Sequence, residues 1–497
     1  MTVKLLLDYR IDGQDYKIGN LVTTSAGTEA GLISSKMASS DLTGGTAYVA
    51  PVVQAQFTPV MATTSLLTGL TSFVAGGAAA QLGRIAAGTC ALLGDSRNDQ
   101  FGSGAAVING LTRTKTAVHW LNWYNALNNQ PIKPLAKFAV SGSFTVALDN
   151  QITSLLALNP LPEFGFIWSG VNDYGQATPA ATSALNVFNA AIRLCNAGIT
   201  PVVFLESGAT NLNTSAAIAW LFEFNERLRG FCDGNRRVLC FDPTQVLWEP
   251  AGAAWTTTPA PAFKLGHMAD AVHPGNLGGF NLGVAFGLWL GPKIAPFESR
   301  MTTLGEMVFA NNPNALITNA LFTTVSGGSS SGAGAITGTV PASWAYNKGA
   351  SAATATTVTT PAGSHGNDLT LAITTTGADT TRLSQDAAAG PKAACVVGSI
   401  LEFGVEVVVS AGTNLQGVNV AHEYNDGTAS YTFYDLFCQN SGAGNGPQAF
   451  TIQAQPIPAT VGTTPSGWIT SRLEFVFSGA GGATIVIRRA KFRKKYS

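Results

Sequence analysis

Ser96 closes the tripeptide Gly94-Asp95-Ser96, directly after the apolar run Thr89-Cys90-Ala91-Leu92-Leu93. A serine hydroxyl is a weak nucleophile until a base takes its proton. Placed where a strand hands over to a helix, its Oγ is exposed and the backbone N–H groups of the first turn are free for a developing anion. The base such chemistry needs is offered far downstream, in Asp270-Ala271-Val272-His273-Pro274. A carboxylate three residues before an imidazole can reach it within one loop, fix its tautomer and stabilise the imidazolium. A third segment, Gly170-Val171-Asn172-Asp173, follows the apolar run Phe166-Ile167-Trp168. Its Asn172 amide is an oxyanion donor that needs no protonation, and such a donor is worth roughly 10²–10³ in rate. Gly142, in Val140-Ser141-Gly142-Ser143, is a further candidate through its backbone N–H, because glycine allows close approach. Singly, Gly-Asp-Ser reads as a plain turn and Asp-x-x-His as a polar loop. Together, at strand ends or before a helix, they supply the parts of acyl transfer.

The elements that must position these residues follow from periodicity. Ser183 to Asn196 places Leu185, Phe188, Ala191, Ile192 and Cys195 at helical spacing, with Gly198 as the stop. Pro201 to Leu205 is then a strand, Ser215 to Phe231 a helix, Arg237 to Asp242 a strand, and Phe280 to Leu290 a helix after the Asp-His loop. Strands alternating with helices predict a parallel sheet covered on both faces, with ligands bound beyond the carboxyl ends of the strands. This gives a three-layer, flavodoxin-like α/β domain over residues 86–300. Residues 1–85 read as a β-rich region, with strands at Leu5-Leu6-Leu7 and Val52-Val53. Residues 301–497 read as an antiparallel β-sandwich or jelly roll. Its strands fall at Leu369 to Ile373, Leu401 to Val409, Ser430 to Phe437, Leu473 to Phe477 and Thr484 to Ile487. Ser326 to Gly332 reads as a flexible linker or exposed loop.

In this order and spacing, the four segments resemble the SGNH (GDSL-like) serine hydrolases over about residues 86 to 295. Ser96 matches the nucleophile, Gly142 the second-block glycine, Asn172 the third-block asparagine, and Asp270 and His273 the last block. The resemblance implies a triad of Ser96, Asp270 and His273. It also implies an oxyanion hole of the Ser96 and Gly142 N–H groups and the Asn172 side chain, with no metal or cofactor. Two departures stand out. The second block usually reads Asn-x-Gly-x-x-Gly, whereas Lys137, Ala139 and Gly142 occupy those positions here. Arg97 follows the serine where a smaller or apolar residue is common; it reads as a pocket-narrowing or anion-binding residue, or as a helix-start residue pointing to solvent.

Composition narrows the setting. The chain has 497 residues, enough for two or three domains, and only 11% are charged, less than half the usual fraction. A neutral, hydroxyl-rich surface suits extracellular or particle-borne β proteins. The net charge of +0 leaves no electrostatic footprint for nucleic acid, although Arg488, Arg489, Lys491, Arg493, Lys494 and Lys495 cluster near the end. That cluster reads as a solvated strand and tail, or as a contact for an acidic partner. Six cysteines without a CxxC pair argue against zinc and for buried thiols. No secretory signal is read, and Thr, Ser and Gly break the apolar stretch Pro59 to Ala80, so membrane insertion is not expected. The segments Tyr16 to Val22 and Thr28 to Ile33 resemble short modules of phage tail proteins. Together these features lead to the expectation of a carbohydrate O-deacetylase acting on bacterial surface polysaccharide. It would sit in a virion tail fibre or tailspike as a homo-oligomer, commonly a trimer, beside other virion proteins. The rivals are a glycan-binding receptor module without turnover, and a secreted lipase or small-ester esterase. His119 with Trp120 and Trp123, and the tail residues Trp344 and Trp468, are possible sugar platforms, with core packing as the default. His267 reads as structural, and Gly366-Asn367-Asp368 as a turn.

Overall fold

The computed structural model describes residues 88–100, 119–128, 132–210, 212, 214–249, 262–294, 307–360, 366–436, 444–454 and 459–495. It adds the backbone of short strands at 2–5, 9–11, 14–16, 20–23, 38–39, 46–47, 106–108 and 111–113. The chain divides into two compact units, Met1–Phe73 and Val74–Ser497. In the first, β1 (Thr2–Leu5), β4 (Asn20–Thr23), β5 (Ala38–Ser39) and β6 (Thr46–Ala47) form a sheet in the order β5-β1-β4-β6. β2 (Tyr9–Ile11) and β3 (Gln14–Tyr16) pair antiparallel beside it in sequence. The expected strand at Val52-Val53, the segment Thr28 to Ile33, the stretch Pro59 to Ala80 and Cys438 lie outside the described residues.

The second unit is built around a five-stranded sheet of β7 (Thr89–Gly94), β10 (Lys133–Lys137), β11 (Phe164–Trp168), β12 (Thr200–Phe204) and β13 (Leu239–Phe241). Every pairing is parallel, in the order β10-β7-β11-β12-β13. By chain order this is 2-1-3-4-5, the flavodoxin-like winding. β7, β11 and β12 are near-continuous apolar runs because helices cover both of their faces. Ala91, Leu93, Ile167 and Val203 point to one side, into a core with α3 (Leu148–Leu156), α4 (Ala180–Asn196) and α5 (Ser215–Gly234). Cys90, Leu92, Phe166, Trp168 and Phe204 point to the other, against α2 (Trp120–Leu127) and α7 (Asn276–Leu290). α7 begins four residues earlier than periodicity alone places it. The edge strand β10, Lys-Pro-Leu-Ala-Lys, escapes a reading by apolar runs because an edge strand is only half covered.

The C-terminal region is β-rich. Two strands of 26 residues each, β20 (Ile400–Asn425) and β24 (Ile469–Lys494), pair antiparallel along their length, with register shifts near Gly404 and between Ser410 and Gly417. The runs at Leu473 to Phe477 and Thr484 to Ile487, read as separate strands, are therefore two halves of β24. The segment Ser478-Gly479-Ala480-Gly481-Gly482 has turn composition, but here it bends one strand rather than ending it. β19 (Asp379–Asp386) pairs with the first half of β24 and β18 (Asp368–Thr375) with the second. One hydrophobic cluster draws on both halves, including Leu371, Ile485, Leu383 and Phe475. Ser329–Ser331, inside the expected linker, is a short exposed strand, β14, paired with β16 (Ala345–Asn347). Trp344 is a core residue at 1% exposure, and Gly366-Asn367-Asp368, read as a turn, instead leads into β18, with the Asn367 amide donating to the Phe322 carbonyl at 2.9 Å. The C-terminal basic cluster is largely neutralised from within. Arg488 meets Asp368 at 2.8 Å and Glu406 at 3.3 Å, Arg489 meets Glu406, and Arg493 meets Glu402 at 2.9 Å.

The two architectures of this unit share α2. Trp120, Leu121 and Tyr124 belong to the core under the parallel sheet, whereas Trp123 and Ala126 belong to the C-terminal core. Trp123 meets Phe280 and Phe450 edge-on, at ring-centroid distances of 5.0 and 5.3 Å. His422 of β20 is fully buried, stacked on Phe433 at 5.4 Å, and burial pushes its pKa down to about 3. The folded state thus binds its proton only near pH 3, and the unfolded chain near pH 6.5. Stability is undiminished above the unfolded value and falls as pH drops toward the folded one. Between pH 7 and 4.5, the His422→Phe variant should lose roughly 2 kcal/mol less unfolding free energy than the wild type. Urea midpoints at the two pH values measure the difference.

Candidate active site

β7 ends at Gly94, and Ser96 opens the short helix α1 (Ser96–Asp99), with Asp95 as its N-cap accepting the Arg97 N–H at 3.1 Å. The turn is held tightly. Gly94 has φ +112°, and a Cβ there would stand 1.9 Å from the Trp168 carbonyl oxygen. The Gln151 side chain brackets the Gly94 peptide, accepting from its N–H at 2.7 Å and donating to its carbonyl at 2.9 Å. The Asn98 amide donates to the Leu93 and Phe166 carbonyls, at 2.9 and 3.2 Å, tying β7 to β11 behind the serine.

His273 comes to this turn from a tight loop. Ala269 N–H donates to the His273 carbonyl at 2.8 Å and Gly275 N–H to the His267 carbonyl at 2.7 Å. His273 Nε2 lies 2.8 Å from Ser96 Oγ, across 177 residues of chain, and His273 Nδ1 lies 2.8 Å from Asp270 Oδ2. Asp270 Oδ1 accepts the Val272 and His273 backbone N–H groups, each at 2.8 Å. Burial pushes the Asp270 pKa up, but the ring and the two N–H donors outweigh it and hold the carboxylate below its ordinary range. An ionised Asp270 fixes the proton on Nδ1 and leaves Nε2 to accept from the serine. The Ser96 residue is 8% exposed, whereas the side chains of His273 and Asp270 are 22% and 56% exposed, so the site is open on the imidazole side.

Gly142 lies in an exposed turn with φ +77°, closed by Ser143 N–H donating to the Val140 carbonyl at 3.1 Å. The turn reaches the serine helix, where Asp99 accepts the Ser141 N–H at 3.0 Å, and Val140 N–H donates to the Gly94 carbonyl at 3.1 Å. Asn172 joins the same turn, donating one amide hydrogen to the Ser143 carbonyl at 2.9 Å. An amide NH₂ carries two donors, so one remains for a ligand. Asp173 pins the assembly, accepting from Thr145 N–H at 2.9 Å, Thr145 Oγ1 at 2.6 Å and Ser183 Oγ at 2.8 Å. The five sequence-predicted site residues, Ser96 at the start of α1 and the other four in loops, are thus linked to one end of the sheet.

Other candidates take structural roles. His267 is tied to α7, its Nε2 2.8 Å from the Asn281 amide nitrogen. His119 caps α2, its Nδ1 accepting the Leu121 N–H at 3.2 Å. Arg97 fits neither reading proposed for it, since it is buried at 2% exposure in ion pairs with Asp95 and Glu206. Sequence spacing gave no sign of Glu206, Gln151 or Asn98. Gln151 contacts a peptide 57 residues away and Glu206 a guanidinium 109 residues away, and no local pattern marks either.

No family profile and no curated protein matches the sequence. Among solved structures the chain is similar to a member of the lipolytic G-D-S-L family from Veillonella parvula DSM 2008, at 16% identity and TM-score 0.29, covering 41% of this chain and 97% of that one. It is also similar to a psychrotrophic esterase from Pseudoalteromonas sp., at 14% identity and TM-score 0.28, covering 41% and 98%. A third is a variant of an acetyl-xylooligosaccharide esterase from Geobacillus, at 15% identity and TM-score 0.32, covering 43% and 97%. At these scores the likeness bears no functional weight, and the chemistry rests on the geometry of the site.

That geometry makes Gly94 irreplaceable. Gly94→Ala forces a Cβ into the Trp168 carbonyl at a left-handed φ, so it should destabilise the unit by more than about 3 kcal/mol. Circular-dichroism melting of the purified variant measures the loss; a melting curve superimposable on the wild type would contradict the close packing of β7 on β11.

Proposed function

We propose that the chain is a serine esterase and that its substrate is an O-acetylated carbohydrate. The observation that carries the reading is the continuous hydrogen-bonded line Ser96 Oγ–His273 Nε2/Nδ1–Asp270 Oδ2, each link 2.8 Å long. In the proposed reaction, His273 Nε2 takes the Ser96 proton as Oγ attacks the acyl carbon. The resulting oxyanion lies against the Ser96 and Gly142 N–H groups and the free Asn172 amide hydrogen. The imidazolium returns its proton to the departing alcohol oxygen as the C–O bond breaks, leaving acyl-Ser96. Water, deprotonated by the same imidazole, attacks the acyl-enzyme. The acid leaves and Ser96 regains its proton.

Two features favour a large, polar alcohol. The imidazole and carboxylate are partly open to solvent, which leaves room for a polymer carrying the ester. The sequence is poor in charge and rich in the hydroxyl residues Ser and Thr. The same composition underlies the proposed setting, an oligomeric phage tail fibre or tailspike acting on bacterial surface polysaccharide.

Incubation with O-acetylated polysaccharide should release acetate, and Ser96→Ala should lower kcat by 10³-fold or more. Asp270→Asn should lower it by roughly 10³–10⁴, through the wrong imidazole tautomer. Glycan binding with no acetate release, or release undiminished in Ser96→Ala, would sink the esterase reading. In the same assay Asn172→Ala should cost roughly 10²–10³ in kcat with little change in KM.

A further inference from the structure

Three ionisable side chains are buried directly behind Ser96. The Arg97 guanidinium is forked between two carboxylates. Its Nε and Nη2 donate to Asp95 at 3.1 and 2.7 Å, and its Nη2 and Nη1 donate to the two Glu206 oxygens, the first at 2.6 Å. Its plane lies over the Trp168 ring, 4.9 Å from the centroid. The side chains of Arg97, Asp95 and Glu206 are all 0% exposed.

Glu206 is itself fixed. It stands just past the end of β12, and its Oε1 accepts the Gly208 N–H at 2.8 Å. The Asn225 amide of α5 brackets its peptide, accepting from its N–H at 2.7 Å and donating to its carbonyl at 2.8 Å. Its Oε2 would lie 3.2 Å from a Cβ at Gly170, so the carboxylate sits against the start of the Asn172 loop. Beyond it, Thr210 N–H donates to the Ala271 carbonyl at 2.9 Å, inside the Asp270–His273 loop. Val171, Ala209 and Leu212 pack with Val272 in one apolar cluster. The ends of β7, β11 and β12 and the histidine loop thus meet around one carboxylate.

A buried ion cluster of this kind is seldom more stabilising than apolar residues of equal volume. What it does supply is orientation, because a guanidinium held bidentately on two sides cannot rotate. Arg97 is the chain neighbour of Ser96, so immobilising one side chain immobilises the peptide that carries the other. We propose that Glu206, acting through Arg97, is a positioning residue that aligns Ser96 Oγ with His273 Nε2. The proposal rests on Ser96 being the nucleophile. Burial works against charge on Arg97, and the Asp95 and Glu206 carboxylates overcome it and raise its pKa; burial likewise raises the Glu206 pKa against the pull of Arg97.

The test uses the full chain with Glu206→Gln and Glu206→Ala. It reads the second-order rate at which a fluorophosphonate labels Ser96, per folded molecule by circular dichroism, with kcat and KM on p-nitrophenyl acetate. Misplacing a reacting group by about 1 Å costs on the order of 10²-fold. Glu206→Ala should therefore lose about 100-fold in labelling rate and kcat, and Glu206→Gln, which keeps one acceptor oxygen, about 10-fold. KM should stay within about twofold. If Glu206→Ala does not fold, the isosteric Glu206→Gln carries the test. Folded variants that label at the wild-type rate overturn the positioning role while leaving Ser96 as nucleophile. A wild type that takes no label at Ser96 overturns the nucleophile reading, and the positioning role with it.

Discussion

Every strand of a parallel sheet delivers its carboxyl end to the same edge, and this constraint brings Ser96 and His273 within 2.8 Å across 177 residues of chain. The serine leaves the end of β7, Asn172 the end of β11 and Glu206 the end of β12. The histidine loop needs only to fold back over that edge before α7 begins. The hydrogen bonds are made by groups whose backbones are fixed by the sheet, the Gln151 bracket and the Asn98 tie.

The site's centre was legible in the sequence because its chemistry is local. Asp270 and His273 lie three residues apart in one loop, and Gly94-Asp95-Ser96 sits where an apolar run stops. The central strands were equally legible, since burial on both faces leaves them almost wholly apolar. What surrounds the site was not. Gln151, Asn98 and Glu206 act on peptides or charges brought close only by folding, and each would pass for a surface polar residue. Arg97 shows the difficulty most clearly. An arginine beside a serine reads as solvent-facing or ligand-facing, and only Asp95 and the distant Glu206 make its burial affordable. The long strands β20 and β24 were misread for the opposite reason. Gly-rich segments that elsewhere mark turns here take up a bend within a continuous ladder, and composition alone cannot separate the two.

The double allegiance of α2 has an architectural consequence. Its Trp120 face closes the core beneath the parallel sheet, and its Trp123 face is a knob in the C-terminal core against Phe450. A recombination event at this seam, trading one C-terminal region for another, would have to recut the helix on the α/β side as well. The two parts are not beads on a string: one helix is buried in both cores, so the β-rich half packs directly against the α/β half.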